Sequence, residues 1–285
     1  MKISEILRDG KVRLSCEVFP PKRFDGIAAA CDTARQIAAL RPAYMSVTCG
    51  AGGTTPGYTL AVAKAVAESG VEPLCHVTCV QSGREQVTEI LDSMKNAGMR
   101  NVLALRGDLP LEGERCHDFE HASDLASFIR ARGDFCIGGA CYPEKHPESP
   151  SRDTDMDNLK RKVDAGVDFL TTQMFFDNAL FYNFLYRMLK AGITVPVCAG
   201  IMPITNAKQV ERAVKLSGSI MPPRFAAIAD RFGSDPDSMA QAGIAFATGQ
   251  IVDLIANGIT HIHLYSLNKP EVAAGSLNNI SALLK

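Results

Sequence analysis

The 285-residue chain carries no surplus of either charge. Its 30 Lys and Arg stand against 31 Asp and Glu, for a net charge of −1 and a pI near 6.6. Without a basic surplus to neutralise phosphates or a basic aromatic groove, no nucleic-acid partner is expected. No run of apolar residues approaches eighteen, so nothing is expected to span a bilayer. The opening stretch "MKISEILRDGKVRLSCEVF" scatters charges and has no apolar core before a small-residue cleavage site. It does not read as an export signal, and the cytoplasm is the expected address. A G-x-G-x-x-G fingerprint is missing after the first strand-like run, and "AGGTTPG" after the second has glycines at the wrong spacing. No linker, charge block or shift in composition marks a second domain.

What is present is an apolar content of 46% with 21% charged residues, enough to fill a sizeable core. Nine cysteines are an odd count. Cys16, Cys49, Cys75, Cys79, Cys136, Cys141 and Cys198 sit inside apolar runs and read as small buried thiols in a reducing compartment. In "CHVTC", strand alternation sends Cys75 and Cys79 to one face and His76 to the other, which works against a metal site and leads us to expect none.

Short runs rich in Val, Ile, Leu and Cys recur, each followed by apolar residues at helical spacing. Strands are expected at 14–19, 44–49, 73–79, 101–106, 136–142, 169–175, 195–201 and 261–266. Helices are expected near 27–40, 58–69, 84–97, 122–131, 154–165, 178–190 and 206–216, with two more across 222–258 and one at the C-terminus. Eight alternating pairs close most naturally into a single-domain (β/α)8 barrel with extra helices before the last strand; a doubly wound open sheet is the rival.

Barrel enzymes build their sites at the C-terminal ends of the strands, which nominates a polar set. Glu17 is a carboxylate in an otherwise apolar first strand, either half of an internal ion pair or an acid whose pKa is raised by burial. Thr48 ends the second strand. His76, in the third, is either a hydrogen-bonded core residue or a ligand contact. Asp108 follows Arg106 and Gly107 after the fourth; the two charges could pair, but Gly107 between them suggests close approach by another group. Tyr142, Glu144 and His146 crowd into "CYPEKHPE". Gln173 interrupts the sixth strand and either reads a ligand or satisfies backbone. Asn158, Lys160, Arg161 and Lys162 lie in "DNLKRKVDAG", beside a helix N-terminal turn. They form a solvated cationic face or, above a barrel mouth, a pyrophosphate cradle. Gln209 and Lys269 follow strands seven and eight. A metal or Schiff-base lyase is the competing barrel chemistry, with His261 and His263 in "HIHLY" as its best feature.

The segments "SCEVFPPK", "SVTCGAGG", "HVTC", "LALRGDLP", "YPEKHPE", "NLKRKVDAGVDFLTTQMFFD", "GIMPITNAKQ" and "HLYSLNK" stand in one order. Together they resemble the methylenetetrahydrofolate reductase family over essentially the whole chain. The resemblance implies a (β/α)8 barrel holding FAD at its mouth and reducing 5,10-methylenetetrahydrofolate to 5-methyltetrahydrofolate. It implies that Glu17 is the general acid that opens the imidazolidine ring by protonating N10. Reduced flavin then passes hydride to the resulting N5 iminium. Asp108 would lie between flavin and pterin, where its negative charge disfavours the anionic reduced flavin and favours the cationic iminium. By the same likeness Gln173 and Gln209 contact folate. Thr48, Ala51, His76, Arg106, Gly107, Asp108, Ala122, Tyr142, His146, Asp155, Asn158, Arg161 and Lys162 match FAD-binding positions, the last two near the phosphates.

Three positions depart from the bacterial pattern. Cys49 replaces a Tyr beside the flavin, Lys269 an Arg that grips the substrate glutamate, and Ala213 a Phe that stacks on nicotinamide or folate. NADH is the expected electron donor, with a partner subunit as the alternative, and a FAD-carrying electron-relay subunit is the rival role. A homo-oligomer is expected; feedback by S-adenosylmethionine through a regulatory domain is not.

Overall fold

The computed structural model describes residues 1–49, 56–109 and 115–284. Eight parallel strands close a barrel in sequence order: β1 (Arg13–Val18), β2 (Met45–Val47), β3 (Pro73–Thr78), β4 (Asn101–Leu105), β5 (Cys136–Cys141), β6 (Phe169–Thr172), β7 (Val197–Ile201) and β8 (His261–Leu264). Closure is made by β8 against β1, in a register running from Arg13↔His261 to Cys16↔Leu264. A short helix, α1 (Ile3–Ile6), precedes β1. The crossovers are α2 (Ile27–Ala38), α3 (Pro56–Glu68), α4 (Arg84–Asn96), α5 (Ala122–Arg130), α6 (Arg152–Asp164) and α7 (Asn178–Lys190). Between β7 and β8 lie α8 (Lys208–Ser217), α9 (Pro223–Phe232) and α10 (Pro236–Ala256), and α11 (Pro270–Ile280) closes the chain. The barrel expectation holds, with its extra helices in the expected place.

Helix starts follow local chemistry. Ser151 accepts from Thr154 N at 3.1 Å, Asp177 from Ala179 N at 2.9 Å and Asp235 from Ser238 N at 3.1 Å, each satisfying an amide that has no partner within its helix. Several strands stop earlier than expected. β6 ends at Thr172 because the Gln173 side chain turns back to accept from Met174 N at 2.9 Å. β7 begins only after Pro196, which has no N–H to give the ladder.

The strands are near-continuously apolar because both faces are covered. The outer faces of β1 to β8, with Cys16, Cys75 and Val102 among them, pack on the crossover helices through residues such as Ile37, Leu91 and Leu125. The barrel interior is divided. Its floor, at the N-terminal strand ends, is an apolar plug of Tyr44, Leu74, Leu103, Phe169, Cys136 and Cys198, sealed from below by Ile3 and Leu7 of the N-terminal segment. α1 was not expected from the sequence; it is anchored by Asn101 at the start of β4, whose Oδ1 accepts from Ile3 N at 2.9 Å. A third cluster, built on Phe176, Met202, Ile204, Ala213, Phe225 and Met239, joins α8, α9 and α10 to the upper rim.

All seven cysteines assigned to apolar runs are buried. Cys75 and Cys79 lie in the outer layer, whereas His76 borders the interior cavity, as alternation requires. One composition-based expectation needs qualification. α10 is 21 residues long with a window of mean hydropathy 1.3, apolar enough by itself to cross a bilayer. Here it packs on α9, α11, α7 and β7.

Candidate active site

Above the plug the interior becomes polar and opens as a cavity of about 340 Å3. Glu17 lines it from β1, His76 from β3, and Gly107 and Asp108 from the loop after β4, so the two carboxylates face one space. Thr48, Cys49, Tyr142, Gln173 and Tyr265 complete the upper wall. A second cavity of about 240 Å3 adjoins it. Arg106, Ala122, Tyr142, His146 and Lys162 border both, and Asp155, Asn158 and Arg161 line the second alone. The two form a continuous trough from the barrel axis to its rim.

Glu17 is not half of an ion pair. Its Oε2 lies 3.4 Å from Ser46 Oγ and 3.7 Å from His76 Nε2, beyond hydrogen-bond range for the imidazole. Burial drives the Glu17 carboxyl up to about 7, opposed slightly by the Ser46 hydroxyl, while burial drives His76 down to about 3. The two groups are therefore a protonatable acid beside a neutral imidazole. Beneath them runs a chain of hydrogen bonds that the sequence does not advertise. Ser46 Oγ lies 3.2 Å from His263 Nε2, and His263 Nδ1 lies 2.7 Å from Ser15 Oγ, which donates to Ile262 O at 3.2 Å. His263 is stacked on Tyr44, and burial holds its pKa down to about 3. His263, with His261 the best feature of the competing lyase reading, is thus committed to two serines. Among the described residues, no group of three His, Cys, Asp or Glu side chains is placed to hold a metal ion.

Arg106 does not pair with Asp108. Its guanidinium makes a two-pronged bond to Glu148, at 2.6 and 2.7 Å, across the boundary between the cavities. Gly107 has a φ of +91°, and a Cβ there would stand 2.9 Å from Val80 Cγ1 and 3.2 Å from Thr78 Cβ. The close approach anticipated at this glycine is therefore to the end of β3. His146 N donates to Asp155 at 3.2 Å, and Tyr142 meets the His146 ring edge-on at 4.6 Å. Glu144 lies outside both cavity walls; its carboxylate accepts from Ile220 N and fastens this loop to the segment between α8 and α9.

The cationic cradle needs one correction. Arg161 and Lys162 lie in the last turn of α6, not beside its N-terminus, because that helix starts at Arg152, before the cationic run. The helix start that opens on the second cavity is that of α5, through His121, Ala122 and Ser123. Lys162 Nζ donates to Ala140 O at 2.7 Å, and burial lowers its pKa.

Ala51 lies outside the described residues. Gln209 and Lys269 border neither cavity but meet at Thr205, whose N donates to Gln209 Oε1 at 3.0 Å and whose hydroxyl accepts from Lys269 Nζ at 3.1 Å. Ala213 is buried in the rim cluster with Phe225 and Met239.

Two buried atoms in the first cavity, Thr48 Oγ1 and His76 Nε2, have no hydrogen-bond partner among the described residues. Each costs about 1–3 kcal/mol if left dry, so the wall is chemically incomplete without a polar-edged occupant. Such an occupant, with its anionic part between Arg106, Arg161 and Lys162, fits a flavin dinucleotide: a heterocycle with amide and imide edges, joined to a pyrophosphate.

An apolar floor, a polar upper chamber and a buried protonatable carboxyl define an enzyme of the (β/α)8 class, with its chemistry at the C-terminal mouth. The family model for methylenetetrahydrofolate reductase matches residues 2–281. The chain is 34% identical over 265 residues to the 5,10-methylenetetrahydrofolate reductase of Pectobacterium carotovorum, covering 93% of this chain and 88% of that one. It is 35% identical over 298 residues to the methylenetetrahydrofolate reductase (NADH) 1 of Zea mays, covering 99% of this chain and 50% of the longer plant protein. In fold it matches an uncharacterised Clostridium thermocellum protein that binds two copies of 5-methyl-5,6,7,8-tetrahydrofolic acid. The TM-score is 0.72 at 12% identity, over 99% of this chain and 100% of the other. The chain belongs to the methylenetetrahydrofolate reductase family.

Proposed function

We propose that this chain reduces 5,10-methylenetetrahydrofolate to 5-methyltetrahydrofolate in the cytoplasm, as a single-domain FAD enzyme. One observation carries the reading beyond family membership: Glu17, with its pKa raised to about 7, shares a cavity with Asp108 and Gln173. Bound FAD supplies hydride transfer. Thr48, Ala51, His76 and Tyr142 would hold its ring portion with the Arg106 to Asp108 loop, and Ala122, His146, Asp155, Asn158, Arg161 and Lys162 the remainder.

Glu17, with its pKa raised to about 7, is protonated in a large share of molecules at neutral pH and delivers that proton to folate N10, so that the five-membered ring opens to an N5 iminium. Asp108 offers that cation a fixed negative charge, and the amide of Gln173 orients the pterin. The plug beneath keeps water from reaching the acid from the floor of the barrel and so helps to preserve its raised pKa. Gln209 and Lys269, joined through Thr205, would meet the outer part of the folate, with Lys269 as a single cation for its glutamate. Lysine offers charge there but not the arginine fork.

NADH is the proposed electron donor; the Zea mays relative is named for it. A homo-oligomer is proposed as the working assembly. Anaerobic mixing tests the whole reading. NADH should bleach the bound flavin and methylenetetrahydrofolate should restore its colour. Colour that persists with NADH but is lost with another reductant assigns the donor to a partner subunit. Bleached flavin that folate does not reoxidise removes the activity.

A further inference from the structure

We propose that Asn268 is a positioning residue that fixes Glu17 by clamping the backbone of Phe19 at the barrel rim. The β1 to β8 ladder ends at Cys16↔Leu264. Above it, one side-chain amide takes over: Asn268 Oδ1 accepts from Phe19 N at 2.9 Å and its Nδ2 donates to Phe19 O at 2.8 Å. This two-pronged contact imitates a further rung of pairing, two residues beyond Glu17 and just past the end of β1.

The turn that presents Asn268 is strained. Lys269 N bonds to Ser266 O at 3.1 Å, and both central residues, Leu267 and Asn268, have a φ of +55°. That backbone suits an Asn-Gly pair; a leucine in the left-handed region costs about 1–2 kcal/mol. The strain is held from three sides. Ser266 is buried, Leu267 packs on the rim cluster, and Lys269 is tied to Thr205. A conformation this costly persists where the surroundings fix it for a purpose.

Glu17 supplies the purpose. Its own side-chain contacts are long, 3.4 Å to Ser46 and 3.7 Å to His76, so they define its place weakly. The backbone of β1 must define it instead: on the β2 side pairing runs on through Glu17↔Ser46 and Val18↔Val47, and on the β8 side, where it stops at Cys16↔Leu264, Asn268 holds on. A displacement of about 1 Å in a proton donor can cost about a hundredfold in rate. The inference rests on Glu17 being the acid of the proposed reaction.

Asn268→Gly separates clamp from turn, because glycine accepts a φ of +55° without strain yet has no amide to offer Phe19. In the FAD-bound enzyme, infrared titration of the Glu17 carboxyl, assigned by its loss in Glu17→Gln, reads the clamp without folate. Its midpoint should fall in the variant as Glu17 moves toward solvent, while the bound flavin spectrum stays unchanged. In the same protein, reoxidation by methylenetetrahydrofolate should slow about ten- to a hundredfold, with reduction by the donor unaltered. An unshifted midpoint together with a wild-type reoxidation rate overturns the clamp. Should Asn268→Gly not fold, Asn268→Asp keeps the acceptor for Phe19 N but opposes Phe19 O, and should give an intermediate slowing; wild-type rates there overturn it equally. Wild-type enzyme that folate cannot reoxidise overturns the functional reading, and the infrared midpoint still decides the clamp.

Discussion

Replacing Glu17 by glutamine leaves size and polarity almost unchanged and removes one ionisation. In the folded protein that carboxyl titrates near 7, against 4.5 for an unburied glutamate. Between those two values the folded protein keeps a proton that the unfolded chain has released. Stability therefore falls as pH rises across that window and is level above it. Relative to a glutamine that never ionises, the wild-type residue costs about 1 kcal/mol at pH 5 and about 3 kcal/mol at pH 8. For a chain of this length about 1 kcal/mol moves the melting temperature by about 2 °C. The advantage of Glu17→Gln should thus widen by about 4–5 °C from pH 5 to pH 8, measured by thermal unfolding of the cofactor-free protein. The same variant should accept electrons from the donor normally and reduce folate more slowly by a factor of about 10²–10⁴, the usual worth of a general acid. An equal melting offset at both pH values would show that Glu17 is not held protonated. Wild-type folate turnover would show that its proton is not used.

Wild-type folate reduction should decline as pH rises through about 7, as Glu17 loses its proton. Ser46→Ala removes the hydroxyl that opposes the raised pKa, so the declining limb of the pH profile should move to higher pH. Lys162→Met removes a buried cation bonded to Ala140 O and should weaken FAD binding about ten- to a hundredfold, read from flavin released on dilution. Gly107→Ala adds a Cβ at 2.9 Å from Val80 on backbone with a φ of +91°; denaturant unfolding should show a loss of about 1–3 kcal/mol.

The barrel was legible because each strand announces itself as a short apolar run covered on both faces, and each helix that follows a strand by its apolar spacing; α1, only four residues long, carries no such period. Glu17 stood out as a carboxylate within such a run, and its burial follows from that setting. The expected cationic site carried a local error: Arg161 and Lys162 are near a helix end, but at its last turn. Lys162 reaches the second cavity over Ala140 of β5, and Arg161 lines it while bonded to Asn158 on its own helix, so neither relies on the helix N-terminus. The Ser15, Ser46 and His263 chain was hidden because its members come from β1, β2 and β8. Ser15 and His263 are 248 positions apart, and only barrel closure brings them together. Arg106 found Glu148 rather than Asp108 because pairing across a cavity boundary depends on loop geometry, which residue spacing does not encode. Asn268 likewise reads as an ordinary turn residue until its amide is seen to span both main-chain groups of Phe19.

Ile3 and Leu7 belong to a segment that touches no substrate, yet they stopper the barrel from the side opposite its opening. Trimming the first eight residues, or burdening them with a bulky fusion, would uncover that apolar plug and loosen the floor beneath the proton donor. Its acidity would then drift toward that of an ordinary surface glutamate. The N-terminal helical segment of this protein is thus a remote tuning element, and substitutions there should register as altered pH dependence before any loss of cofactor is detected.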